Sequence, residues 1–321
     1  MTGRKEPILV VNNLKKYFST KKGLLHAVDD VSFTIDEGKT LGVVGESGCG
    51  KSTLGKAIIR LVEPTAGEVF LEGEDVVSMG PAKLRKTRLK MQMIFQDPYS
   101  SIDPRMSVAQ IISDPLVVNK VCRGKKEINE RIDNMMEIVG LAPRLKESYP
   151  HELDGGRRQR IGIARALALD PKFIICDEPV SALDVSIQAQ IINILMDLKE
   201  QKGLTYIFIT HDLSVVKHIS DEIAVMYLGQ CVEKATSDEL FANPKHPYTR
   251  ALLAAIPVPN LSKRHKRPAV IRGEVGNPIN PSSGCRFAPR CDYVRPECTG
   301  KNIELKDVGG GHFVACVLYD N

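Results

Sequence analysis

The segment GVVGESGCGKST, residues 42 to 53, restricts the fold more than any other stretch of the chain. It fits the pattern G-x4-G-K-[S/T] through Gly45, Gly50, Lys51 and Ser52. Before it lies KTLGVVG, short and apolar enough for a buried strand. After it, residues 52 to about 61 have the spacing of a helix. A glycine-rich turn between a strand and a helix is a phosphate cradle, because unbonded backbone N–H groups at a helix start attract anions. Gly45, Gly48 and Gly50 let the backbone come close to the phosphates. Lys51 reaches the β- and γ-phosphates, and Ser52 offers an oxygen to Mg²⁺.

A second element is expected wherever such a loop does chemistry. FIICDEP, residues 173 to 179, supplies four apolar residues and then Asp177 and Glu178. A buried strand ending in aspartate is how phosphate-loop enzymes hold Mg²⁺. The carboxylate that follows, Glu178, is placed to polarise a water for attack on the γ-phosphate. A surface acidic pair rarely ends so apolar a strand.

Apolar strands alternate with helices through most of the chain, which predicts a parallel α/β sheet. Strands are expected at ILVVNNLKKYF, LLHAVDDVSFTI, GEVFLEG, MQMIFQD, TYIFITH and EIAVMYLG, and a helix over SIQAQIINILMDLKEQ. Residues 107 to 168 read as helical, broken at Gly124, Pro143 and Pro150, and form a subdomain inserted into the sheet domain. After Pro244 the chain becomes rich in proline, glycine and basic residues, so a small module is expected at about 243–321.

Net charge is +5, from 44 basic and 39 acidic residues among 321. This is too mild to indicate a nucleic-acid partner. The two basic clusters, residues 83 to 90 (KLRKTRLK) and 263 to 267 (KRHKR), lack interleaved aromatics and read as solvated faces. No stretch approaches the roughly 18 apolar residues of a membrane span, and no signal peptide is evident at the start, so a cytosolic protein is expected. Four of the eight cysteines, Cys49, Cys122, Cys176 and Cys231, are scattered and read as packing. Cys285, Cys291, Cys298 and Cys316 crowd the last 37 residues as C-x5-C-x6-C-x17-C. Without a C-x2-C knuckle they suit an iron–sulfur cluster better than a zinc ribbon. Arg286, Arg290 and Arg295 are expected to lower the thiol pKa values and offset the charge of a cluster.

In this order the motifs resemble the nucleotide-binding subunits of ATP-binding-cassette (ABC) transporters. The likeness runs over residues 8 to 242: a Walker A loop at Gly45–Thr53, a Q-loop glutamine at Gln96 and a Walker B strand at Phe173–Glu178. A D-loop follows at Ser181, Ala182, Leu183 and Asp184, and a switch histidine at His211. LDGGR, comprising Leu153, Asp154, Gly155, Gly156 and Arg157, occupies the signature position. There the family usually has serine where this chain has Asp154, and glutamine where it has Arg157. The resemblance implies an ABC-type P-loop ATPase domain at 1–242 with a helical subdomain at about 97–168, plus a small Cys-rich C-terminal module at 243–321.

The resemblance also implies roles. ATP lies on Gly45, Glu46, Ser47, Gly48, Cys49, Gly50, Lys51, Ser52 and Thr53, with Phe18, or its neighbour Tyr17, stacked on adenine. Ser52, Gln96 and Asp177 hold Mg²⁺, and Glu178, His211 and Gln96 act in hydrolysis. The signature loop of a second ATPase subunit, expected to be a different chain, closes each site. NPKHPYTRALLAAIP and the cysteines after it resemble the C-terminal region of oligopeptide and dipeptide importer ATPases, some of which carry a 4Fe–4S cluster. Such a cluster at Cys285, Cys291, Cys298 and Cys316 is expected, with Zn²⁺ as the alternative. The implied partners are two transmembrane permease subunits at the cytoplasmic face of the membrane and, indirectly, an extracytoplasmic solute-binding protein. A nickel importer of the same group and a soluble ABC-type ATPase remain as other readings.

Overall fold

A computed structural model describes residues 6–256 and 273–320. Through the first half of the chain it forms β1 (Leu9–Thr20), β2 (Gly23–Ile35), β3 (Thr40–Val44), α1 (Lys51–Ile58), β4 (Ala66–Leu71), β5 (Glu74–Asp75), α2 (Pro81–Lys90), β6 (Met91–Ile94), α3 (Pro98–Ser101), α4 (Val108–Val118) and α5 (Lys125–Ile138). Then come α6 (Gly155–Leu167), β7 (Phe173–Asp177), α7 (Val185–Lys202), β8 (Thr205–Ile209), α8 (Leu213–Ile219), β9 (Glu222–Tyr227), β10 (Gln230–Thr236), α9 (Ser237–Ala242), α10 (Pro247–Ala254), β11 (Lys306–Asp307) and β12 (Phe313–Val314). The chain divides into two compact units. One comprises residues 1–36, 40–78 and 210–321, the other residues 37–39 and 79–209.

In the first unit, β1 pairs antiparallel with β2 and β4, and β4 with β5. β3 runs parallel to β9, with Leu41 opposite Glu222 and Val44 opposite Val225. Every residue of β3 is buried, as a strand covered on both faces requires. β9 turns back into β10, which pairs with β12, and β12 with β11. The β9–β10 turn is Leu228–Gly229, both at positive φ (44° and 86°), the geometry that suits a two-residue hairpin. β10 escapes a sequence reading because Glu233 and Lys234 interrupt its apolar pattern. Glu233 is nonetheless fully buried, since its carboxylate accepts the N–H groups of Lys245 (2.6 Å) and His246 (2.9 Å) and faces His312 Nε2 at 2.7 Å. The core of this unit gathers Val44, Val225, Tyr227, Leu240, Tyr248 and Phe287. Each such side chain contributes about 1.5–3 kcal/mol on burial.

The residues after β8 group with the phosphate-loop unit. Basic cluster 263–267 lies outside the described residues. The other cluster forms α2, with Leu84 and Thr87 buried and Lys83, Arg85, Lys86 and Lys90 exposed.

In the second unit, β6, β7 and β8 are parallel, with Met91 opposite Phe173 and Phe173 opposite Thr205. Parallel neighbours need a crossover, and α7 provides it between β7 and β8. The helical segment is present as α4, α5 and α6. Ser107 caps α4 through a reciprocal bond with Gln110, Gly124 caps α5, and Pro143 and Pro150 open short 3-10 turns. Buried Ile161, Ile163 and Leu167 face α6 into this unit's core, and Arg131 fixes its end by donating to the Ala168 carbonyl at 3.0 Å.

Candidate functional site

The phosphate loop joins β3 to α1 in the first unit. Its conformation depends on Gly50, which has φ 102° and where a Cβ would stand 1.9 Å from the Ala27 carbonyl oxygen. No side chain caps the start of α1 at Gly50, and a helix start of this kind attracts anions. Lys51 is buried, and its ammonium donates to the carbonyls of Gly45 (2.8 Å) and Glu46 (3.1 Å). Cys49 is buried beside it, and burial raises its thiol pKa despite the lysine charge. Glu46 gives its N–H to the Tyr248 hydroxyl at 2.9 Å and its carboxylate to Arg290.

Of the two candidate adenine platforms, Tyr17 is engaged. It stacks on His26 with ring centres 4.0 Å apart, and its hydroxyl donates to Asp29. Asp29 also meets His26 Nδ1 at 3.1 Å and the Arg286 guanidinium. Burial works to raise the Asp29 pKa, but the bonds from Tyr17 and His26 and the charge of Arg286 prevail and lower it. Phe18 is 36% exposed, with the Lys16 ammonium over its ring at 4.7 Å. His211 is exposed at the start of the loop before α8, whose cap is Asp212.

The remaining motifs lie in the second unit. Asp177 ends β7 and is buried. The next residue, Glu178, has φ 45°, a left-handed backbone that costs a non-glycine residue energy and recurs at functional sites. Its N–H is tied to the Ile209 carbonyl (2.9 Å), and Gln96 donates to its carboxylate at 3.0 Å. Gln96 and Glu178, 82 residues apart, are thus brought into direct contact. The D-loop is braced by Gln188, which donates to the carbonyls of Val180 (3.1 Å) and Leu183 (2.9 Å).

Leu153 is buried, and Asp154 is the N-cap of α6. Its side chain accepts the Arg157 N–H at 2.8 Å, while the Arg157 guanidinium stands 3.4 Å from its other oxygen. Both side chains are about half exposed. Gly156 lets the helix start close to α7, since a Cβ there would lie 2.7 Å from Ile187. Arg158 turns inward, donating to the Pro150 carbonyl at 2.6 Å and covering the Tyr99 ring.

The four C-terminal cysteines converge. Cys285, Cys291, Cys298 and Cys316 line one cavity of about 10 Å³ with His246 and Tyr293. Each sulfur meets a backbone N–H: Tyr293 on Cys291 and Arg295 on Cys298 (3.4 Å each), Phe287 on Cys285 and Leu318 on Cys316. The nearby arginines do not lower the thiols as the sequence suggested. Burial dominates, pushing Cys285 up to about 11 and raising Cys291 and Cys316. Arg286 and Arg290 are instead committed to Asp29 and Glu46. Among the described residues no group of three or more His, Cys, Asp or Glu is placed to hold a metal ion.

Tyr248 and the Glu46–Arg290 and Asp29–Arg286 pairs have no local pattern in the sequence. The only signal was two arginines, each next to a cysteine.

Residues 28–181 match the family model described as ABC transporter, and residues 232–298 that of the oligopeptide/dipeptide transporter C-terminal region. The chain is 52% identical over 312 residues to the oligopeptide transport ATP-binding protein OppF of Bacillus subtilis (strain 168), covering 97% of this chain and 96% of that protein. It is 49% identical over 321 residues to the dipeptide transport ATP-binding protein DppF of Escherichia coli (strain K12), covering 98% and 95%. Among solved structures, the dimeric post-hydrolysis state of the ATP-binding cassette MJ0796, bound to ADP and Pi, superposes with a TM-score of 0.67 at 28% identity. It covers 71% of this chain and 98% of that one.

Proposed function

The chain belongs to the ABC transporter ATP-binding family and has its α/β ATPase fold, and from that premise we propose that it hydrolyses MgATP to power an importer of dipeptides or oligopeptides. The observation that carries the peptide reading is likeness over nearly the whole chain, C-terminal region included, to relatives named for peptide transport. Among the described residues no helix is long and apolar enough to cross a membrane. The membrane path thus belongs to partners: two permease subunits, which the chain meets at the cytoplasmic face, fed by an extracytoplasmic binding protein. The nucleotide-binding part is residues 1–242, and the C-terminal part residues 243–321.

The roles are those the family resemblance implies for these residues. Lys51 exchanges its loop carbonyls for the β- and γ-phosphates. Ser52 and Asp177 are the residues that would hold Mg²⁺, which would supply charge neutralisation. Phe18, the more open aromatic, is the surface for adenine. Gln96 orients Glu178, as their 3.0 Å bond supports. Glu178 takes the proton of the attacking water, the bond from the γ-phosphorus to the bridging oxygen breaks, and ADP keeps that oxygen. His211 steadies the γ-phosphate. The signature loop around Asp154 serves the nucleotide held by a second ATPase subunit, which we assign to a different chain.

The four-cysteine cavity is read as the seat of a 4Fe–4S cluster. Three observations support it: the convergence of four thiols, an N–H directed at each sulfur, and His246. Burial lowers the His246 imidazole pKa to about 3, so it is neutral. Its Nδ1 accepts the Tyr248 N–H, which leaves the proton on Nε2, buried and without a partner among the described residues. A sulfur acceptor in the cavity would satisfy it.

The test is reconstitution of the chain with its co-purifying membrane subunits, second ATPase and binding protein in proteoliposomes. Peptide-stimulated ATP hydrolysis with uptake of labelled peptide is expected. Nickel uptake without peptide uptake would overturn the peptide reading, and rapid hydrolysis with no membrane partner bound would overturn the transport reading.

A further inference from the structure

Glu46 poses an electrostatic problem. It places a negative charge in a loop built to receive a polyanion. Every polar part of the residue is engaged: the N–H by Tyr248, the carbonyl by Lys51, and the two carboxylate oxygens by Arg290 at 2.7 and 3.1 Å. The pair is a fork against a carboxylate, the geometry that fixes direction as well as charge. Its arginine side chain is only 6% exposed, shelved against the rings of Tyr227 and Phe287. The short turn Ala288–Arg290, between Cys285 and Cys291, presents it. All of these residues belong to one compact unit.

We propose that Arg290 is a positioning residue for the phosphate loop, cancelling the charge of Glu46 and holding its carboxylate away from the incoming triphosphate. The C-terminal region thereby sets the nucleotide affinity of a loop some 244 positions earlier in the chain. Tyr248 is the second clamp. Its ring is fully buried and its hydroxyl is spent on the loop backbone.

The inference rests on the ATP-binding reading, so wild-type affinity for a fluorescent ATP analogue is measured first; absence of binding would sink that reading and not this one alone. If wild type binds, the Arg290→Ala full-length chain should bind about tenfold or more weakly, the range for losing a charged hydrogen bond. In the assembled transporter its KM for ATP should rise by a similar factor, with kcat at saturation within about twofold. Arg290→Lys, a point charge without the fork, should fall between. Adding Glu46→Gln to Arg290→Ala should recover most of the lost affinity, because the unpaired carboxylate is gone. A purely structural role for Arg290 predicts no recovery. Affinity of Arg290→Ala within twofold of wild type, or a double variant as weak as the single, would overturn the proposal. Should Arg290→Ala not fold, Glu46→Gln alone decides: with the carboxylate charge gone and the Arg290 charge kept, it should bind ATP more tightly than wild type, and equal or weaker binding would overturn the proposal.

Discussion

Replacing Asp154 by serine should strengthen the nucleotide site that this signature loop is proposed to complete. Asp154 caps α6 by accepting the Arg157 N–H at 2.8 Å. Serine caps about as well as aspartate, so stability should change by less than about 0.5 kcal/mol. The charge is the larger effect. Two unit charges ~4 Å apart repel by about 4 kcal/mol at an effective dielectric near 20. That separation is well inside the ~10 Å screening length of 0.1 M salt. Arg157, 3.4 Å from the free oxygen of Asp154, offsets part of it. Exposed pairs of this kind return only about 0.2–1 kcal/mol. The residue of about 3 kcal/mol corresponds to roughly a hundredfold in affinity for the terminal phosphate. The assay is ATP-driven association of this chain with its ATPase partner, followed by single-turnover hydrolysis at each site. Asp154→Ser should associate at far lower ATP and speed one of the two sites. Arg157→Ala should worsen the wild type but not the Asp154→Ser variant. Equal behaviour of Asp154→Ser and wild type, within twofold, would refute the electrostatic reasoning.

Gly50→Ala should abolish ATP binding and cost about 1–3 kcal/mol of stability, because φ 102° and a Cβ 1.9 Å from Ala27 leave no room; thermal melts and nucleotide titration check it. Asp29→Asn should destabilise by about 1–3 kcal/mol near neutral pH, having lost the charge that Arg286 faces. Because the Asp29 pKa is lowered from 3.8, its contribution is full above that value and is lost as the pH falls through the lowered pKa. Denaturant curves at several pH values should therefore show the variant and wild type converging in acid. Cys298→Ser should remove the iron and the visible absorption of anaerobically purified protein; iron-free, colourless wild type would dispose of the cluster.

The phosphate loop, the Asp177–Glu178 strand end and the strands around them were legible because each is a local pattern: an apolar run, a glycine spacing, a carboxylate at a fixed offset. Gln96 and Glu178 were placed by motif, yet their contact depends on the pairing of β6 with β7. β10 was not legible, since the buried carboxylate of Glu233 finds its partner in His312, 79 residues later. The arginines beside the cysteines were read against their sequence neighbours. Their true partners, Asp29 and Glu46, lie 257 and 244 residues away, beyond any local pattern.

The most direct measurement compares MgATP turnover by the assembled transporter carrying wild-type chain or Glu178→Gln at this position. The variant should bind ATP as well as wild type but lose the turnover of its own site by a factor of at least about 10²–10⁴, the usual worth of a general base. A variant that hydrolyses ATP at the wild-type rate there would contradict that role.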